Sequence, residues 1–208
     1  RKGMTLRELF NKPKQDTVVF AFGRFQPPTT GHGLLVNQVK NIAQQNNAAF
    51  VIYVSKTQDK KTNPLPVDVK MQYLNKMFPG NHFVAADATV RTFVEAAKHL
   101  NQTYRNLIMV GGSDRVDSFS KVLHDYNGKE FQFDNIKVLS AGERDPDSDS
   151  VAGMSGTKMR EAAMNNDLAS FMQGLPPTMD EQDAQGLMQQ IQQGLAPMKK
   201  VKAEGMDF

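Results

Sequence analysis

Five short apolar runs set the frame of this chain. They lie at Thr17 to Phe22, Ala49 to Val54, His82 to Ala86, Arg105 to Gly111 and Asn135 to Ser140, and stretches of helical character alternate with them at Gly33 to Gln45, Val67 to Phe78, Val90 to Leu100, Arg115 to Tyr126 and Thr157 to Asn165. The runs are continuous and rich in Val, Ile and Phe, the composition of strands covered on both faces. Strands separated by helices close right-handed crossovers into a parallel sheet. The predicted class is therefore α/β, a doubly wound parallel sheet. Such sheets hold ligands outside the carboxyl ends of their strands, near the point where strand order reverses, so the segments that directly follow the runs are the candidates for function.

The rest of the chain divides around that pattern. Residues 1–16 are polar and basic and read as an N-terminal extension, residues 17–166 as the sheet domain, and residues 167–208 as a helical C-terminal tail rich in Gln, Met, Pro and Gly. In the tail, Ala184, Leu187, Met188, Ile191 and Leu195 recur at helical spacing. That stripe must be buried on the chain's own domain or at a subunit interface, because its polar face of Gln and acid is not that of a membrane-surface helix. With 208 residues, 39% of them hydrophobic, one full core is accessible, and no apolar run approaches the roughly 20 residues needed to span a bilayer. Zero cysteines exclude disulfides and thiolate metal ligands. With no signal-peptide pattern, a cytoplasmic protein is expected; the opening at Arg1 reads as a fragment, an expression boundary or a processed form. A net charge of +3 is too small to argue for nucleic-acid binding. Lys56, Lys60 and Lys61 lie near a candidate loop, and Lys199, Lys200 and Lys202 read as a solvated terminus. No two of His82, His99 and His124 have metal-ligand spacing, and no protein metal site is assigned.

The most specific chemistry is in Gly23-Arg24-Phe25-Gln26-Pro27-Pro28-Thr29-Thr30-Gly31-His32-Gly33, directly after the first run. A buried strand, a turn fixed by prolines and glycines, and a histidine entering a helix would present imidazole and free backbone N–H groups to a polyphosphate. More than a hundred residues later comes Met154-Ser155-Gly156-Thr157-Lys158-Met159-Arg160-Glu161. Hydroxyls at a helix start can contact phosphate oxygens, and an arginine one turn on offers a planar fork to the same group. Between them, the run Leu107 to Val110 ends in Gly111-Gly112-Ser113-Asp114-Arg115, where Asp114 is a helix N-cap, a ligand contact, or both. Ser55 to Asp59, continuing to Asn63-Pro64-Leu65, forms a loop after the second run. The acidic run Glu143 to Asp149 reads as a solvated loop, with metal binding as the alternative.

These four motifs, in this order, resemble those of the nucleotidyltransferase superfamily. Thr29-Thr30-Gly31-His32 is similar to its His/Thr-x-Gly-His signature, Ser155 to Arg160 to Ile-Ser-Ser/Thr-Thr-x-Ile-Arg, and Gly111 to Asp114 to Val-Gly-x-Asp. Gly156 departs from the usual hydroxyl. Pro-Pro-Thr-Thr-Gly-His, Gly-Ser-Asp-Arg-Val, Ala-Gly-Glu-Arg-Asp-Pro-Asp and Met-Ser-x-x-Lys-Met-Arg most resemble nucleotidyltransferase-like proteins of T4-type tailed bacteriophages. The resemblance implies a Rossmann-like domain over residues 17–166, with a helical appendage, that transfers a nucleoside monophosphate from ATP or CTP to a phosphorylated small molecule. AMP from ATP to nicotinamide mononucleotide is the leading reading, with release of pyrophosphate and with Mg²⁺ bound through the nucleotide phosphates. It implies His32, Thr29 and Arg160 as catalytic residues and Arg24, Phe25, Gly31, Gly111, Asp114, Ser155 and Thr157 as nucleotide-binding, with Ser55 and Asn63 in a substrate loop. The alternatives are a cytidylyltransferase, and a phage virion-associated structural protein that keeps the fold and contacts capsid or other virion proteins; a homo-oligomer is compatible with any of these.

Overall fold

Strand β1 (Gln15–Gly23) is the axis of the molecule, hydrogen-bonded on both sides and buried on both faces. The computed structural model describes residues 15–142 and 154–195. Around β1 are β2 (Ala49–Val54), β3 (Phe83–Ala85), β4 (Tyr104–Gly111) and β5 (Asn135–Ser140), all parallel, in the order β3-β2-β1-β4-β5. The sheet is the Rossmann-like, doubly wound one that the alternating runs predict. Side chains of successive strand residues point to opposite faces. Val18 and Phe20 therefore enter one core and Val19 and Ala21 the other. Helices α1 (His32–Gln45) and α2 (Val67–Met77) cover the second face through Val36, Val39, Ile42 and Leu74; α3 (Phe93–Asn101) and α4 (Val116–Tyr126) cover the first through Ala96, Ala97, Leu100 and Leu123.

The chain leaves β1 toward β2 and β3 on one side and returns to β4 on the other, so strand order reverses at the carboxyl end of β1, beside Gly23. A crevice forms there because the crossovers on either side diverge.

Helix starts differ from the sequence reading where side chains intervene. The helix predicted from Val90 begins at Phe93, because Asp87 Oδ1 accepts the N–H groups of Thr89 and Val90 in a turn and Thr92 then caps the helix by accepting from Glu95 N. Asp114 does not cap α4. That helix starts after Arg115, with no side-chain cap bond.

Beyond the sheet come α5 (Gly156–Met164), α6 (Leu168–Gln173) and α7 (Glu181–Gly194). The short α6 is missed by periodicity; Asp167 starts it by accepting from Ser170 N. The tail stripe is buried within the chain: Ala184, Leu187, Met188 and Ile191 join Met159, Ala163 and Phe171, together with Leu65 and Met77 from the sheet side, in a third apolar core. An Asp180/Asp183 capping box opens α7, and Asp183 also pairs with Lys76 of α2. No helix among the described residues is long and apolar enough to cross a membrane. The run Glu143 to Asp149 and the basic cluster Lys199, Lys200 and Lys202 lie outside the described residues.

Candidate functional site

The turn after β1 is built around a ring that folds back on its own strand. Phe25 is a non-glycine residue at φ 50°, a conformation disfavoured for bulky side chains, and it is held there by burial: 1% of it is exposed. Its ring covers Gly23 so closely that a Cβ at position 23 would lie 2.5 Å from it. The other side of the ring meets His32 edge-on, centroids 4.8 Å apart. Gln26, also buried, fastens the turn to the loop after β2; its amide donates to Leu65 O at 2.9 Å and Thr57 O at 3.2 Å, and its Oε1 accepts from Leu65 N at 2.8 Å.

Thr29 is wholly buried, and its backbone N–H donates to Nδ1 of His32 at 2.9 Å, with Oγ1 3.2 Å from the same nitrogen. An Nδ1 that accepts leaves the neutral ring's proton on Nε2. The backbone is used differently from the sequence expectation of free N–H groups. His32, Gly33 and Leu34 donate to the carbonyls of Thr29, Thr30 and Gly31, and Thr30 donates to Gly174 O at 2.7 Å.

The second signature closes the same crevice. Ser155 caps α5, accepting from Lys158 N at 3.2 Å. Arg160 reaches back across 134 residues of sequence: Nη1 donates to Gln26 O at 2.8 Å and Nη2 to Thr157 Oγ1 at 3.3 Å. Burial, and then the neighbouring Arg24, lower the Arg160 pKa from its ordinary value. Gly156 is at the crossing point, where a Cβ would lie 3.0 Å from Arg160 Nη1 and 3.2 Å from Gln26 O. The departure from the usual hydroxyl thus leaves room for the arginine to dock.

Arg24, Phe25, Gln26, Pro27, His32, Thr62, Gly156, Thr157 and Arg160 line a cavity of about 430 Å³. Its formal charges are two guanidinium groups, converging from segments that the sequence separates. Gly31 is buried at the start of α1 behind His32. Ser55 and Asn63 support the cavity from outside it. Ser55 is buried, and its carbonyl and Oγ accept from Lys70 Nζ at 2.6 and 3.3 Å. Asn63 donates to Asp59 Oδ2 at 2.7 Å, while Asp59 Oδ1 accepts the N–H groups of Lys61, Thr62 and Asn63. Those bonds, led by the one from Thr62, hold the Asp59 carboxyl well below the usual carboxylate range, and they present Thr62 to the cavity. Gly111 ends β4 under the Phe119 ring, and Asp114 is exposed beyond it; neither lines the cavity.

The residues that sequence reasoning passed over are Gln26, Thr62 and Lys70. Lys70 is completely buried in α2, and its Nζ also donates to Arg24 O at 2.7 Å. A second groove of about 360 Å³, more apolar and lined by Phe50, Tyr53, His82, Val84 and His99 among others, contains none of the motif residues. Among the described residues no group of three or more His, Cys, Asp or Glu side chains could hold a metal. The cavity's donors, guanidinium, imidazole and hydroxyl, suit phosphate oxygens, and a divalent ion would be held through those oxygens.

Solved structures share the fold. The chain is similar to Plasmodium falciparum nicotinic acid mononucleotide adenylyltransferase complexed with NaAD, at 14% identity and a TM-score of 0.52, with 84% of this chain and 98% of that one covered. The same enzyme complexed with APC matches at 14% identity and a TM-score of 0.50 over the same shares. No curated protein sequence matches significantly. The cytidylyltransferase-like family model matches residues 20–168, which run from midway along β1 through the other four strands, both signatures and the cavity between them; the chain belongs to the cytidylyltransferase-like family of nucleotidyltransferases.

Proposed function

We propose that the protein transfers AMP from ATP to nicotinamide mononucleotide and releases pyrophosphate. The observation that carries this reading is the meeting of Arg24, His32 and Arg160 in one cavity at the carboxyl end of β1, with the His32 ring oriented by Thr29. In this reaction a phosphate oxygen of the acceptor attacks the α-phosphorus of the nucleotide, and the bond from that phosphorus to the oxygen bridging the α- and β-phosphates breaks. The acceptor oxygen is already anionic, so the protein supplies no nucleophile. It positions the partners and offsets charge. The Nε2–H of His32 donates to the α-phosphate as charge builds on it, and Thr29 keeps that nitrogen protonated. Arg160, Thr157 and Arg24 hold the β- and γ-phosphates that depart. Ser155 contributes chiefly by starting α5 in the right place. Phe25, Gly31 and Gly23 shape the turn; Gly111 and Asp114 border the nucleoside side, and Ser55 and Asn63 support the acceptor loop. Mg²⁺, carried on the phosphate oxygens, supplies further neutralisation of the leaving group.

The test is pyrophosphate release by purified protein with Mg²⁺, with ATP or CTP, and with nicotinamide mononucleotide, nicotinic acid mononucleotide and phosphorylated alcohols as acceptors. Release that requires ATP, a pyridine mononucleotide and Mg²⁺ together is expected. Release with CTP and a phosphorylated alcohol would reassign the substrates within the same chemistry, and no release with any pair from folded protein would overturn the enzymatic reading.

A further inference from the structure

Lys70 is a cation placed where cations are costly. It is 0% exposed, and its three hydrogen-bond partners, Arg24 O, Ser55 O and Ser55 Oγ, are neutral. The charged group that acts on it most is Arg24, of the same sign. A buried ammonium with a like-charged neighbour is unfavourable unless something opposite in charge arrives. Its three bonds also do structural work. Arg24 O belongs to the turn after β1, Ser55 O to the end of β2, and Lys70 itself to α2, so one Nζ fixes how the two strand ends diverge around the cavity. Arg24, whose carbonyl it holds, is in turn a cavity residue.

We propose that Lys70 is a positioning residue for polyphosphate: its ammonium fixes the turn from which Arg24 enters the cavity, and it leaves positive charge beneath the site that a bound polyphosphate neutralises. This rests on the reading of the cavity as the nucleotide's phosphate site. Burial and Arg24 lower the Lys70 pKa to about 8, so this charge is present at neutral pH and is lost as pH rises through that value. The charged groups around it are Arg24 on the β1 turn and, across the cavity, Arg160 of α5; Asp59, which acts on Arg160, is held well below the usual carboxylate range.

The experiment is calorimetric titration of inorganic tripolyphosphate into the full chain at pH 7 and pH 9.5, for wild type, Lys70→Met and Lys70→Arg, with melting curves to verify folding. At pH 7 Lys70→Met is expected to bind about tenfold more weakly than wild type, the order of effect of removing one nearby charge at intermediate dielectric. Wild type is expected to weaken between the two pH values more than Lys70→Arg, whose charge does not titrate there. Adenosine, which lacks phosphates, should bind all three alike. Lys70→Met binding as tightly as wild type, with the same pH dependence, would overturn the proposal. If neither variant folds, wild-type affinity that does not fall from pH 7 to pH 9.5 would overturn it. Failure of wild type to bind tripolyphosphate at either pH would instead sink the reading of the cavity itself, and Lys70's role with it.

Discussion

At the scale of single residues, the role proposed for His32 turns on the nitrogen that faces Thr29. With Nδ1 accepting from Thr29 N, the neutral ring carries its proton on Nε2. His32→Ala is therefore expected to lower turnover by about 10² to 10³, the usual consequence of removing a donor to developing charge. Its melting temperature should stay near that of wild type; an equal collapse of stability would assign the ring a structural role. Gly156 offers a sharper test. Gly156→Ser would bring the motif closer to the signature it resembles, yet its Cβ would crowd both Arg160 Nη1 and Gln26 O. We expect ATP affinity to fall about tenfold, roughly one charge-assisted hydrogen bond, measured by titration; unchanged affinity would mean the guanidinium docks elsewhere when nucleotide binds. His32 and Arg160 were legible in the sequence because each stands in a spaced motif. Gln26 and Lys70 were not, because their partners lie 39 and 46 residues away and nothing local marks them. Of the N–H groups expected to be free at the first signature, those of His32, Gly33 and Leu34 are taken up by carbonyls three residues back, and that of Thr30 by Gly174 from the far end of the chain's fold.

At the scale of elements, the loop from Asp59 to Asn63 shows how one carboxylate can organise a segment without regular structure. Asp59 accepts the three N–H groups of Lys61, Thr62 and Asn63, and these bonds depress its pKa. A group whose folded pKa is depressed contributes stability that is present above its unfolded pKa and lost as pH falls through the folded one. The loop should therefore hold its order at neutral pH and loosen only in strong acid. Asp59→Ala is expected to speed amide hydrogen exchange at Lys61, Thr62 and Asn63 by roughly an order of magnitude, because the three donors lose the acceptor that holds them out of water. Exchange that is unchanged would show that the turn is held by its flanks. The strands were readable because burial on both faces writes a continuous apolar run. Helix starts were less so, since Asp87 and Thr92 decide the entry into α3 by hydrogen bonds that periodicity does not record.

At the scale of the whole molecule, the three C-terminal helices share a core with Leu65 and Met77 of the sheet side, and its Met159 is the neighbour in sequence of the cavity's Arg160. Gly174 O holds Thr30 N, Thr178 Oγ1 donates to Met77 O, and the end of α7 packs so closely on Pro64 that a side chain at Gly194 would collide with it. A chain ended after Asn166 would lose Phe171, Leu187 and Ile191 from the third core, each a burial of roughly 2 kcal/mol. Such a truncation is expected to melt well below the full chain and to lose tripolyphosphate binding; retention of both would show that the sheet domain holds the site unaided. The amphipathic stripe in the tail announced that it would be buried but not against what, because an apolar pattern names a face and not its partner.

The bond from Thr30 to Gly174 also bears on the order in which the protein is made. A ribosome delivers His32 before Arg160 and Gly174, so a nascent chain has its whole sheet before it has both walls of the cavity. On the proposed function, nucleotide therefore stabilises the chain through this cavity only after α5 has been made.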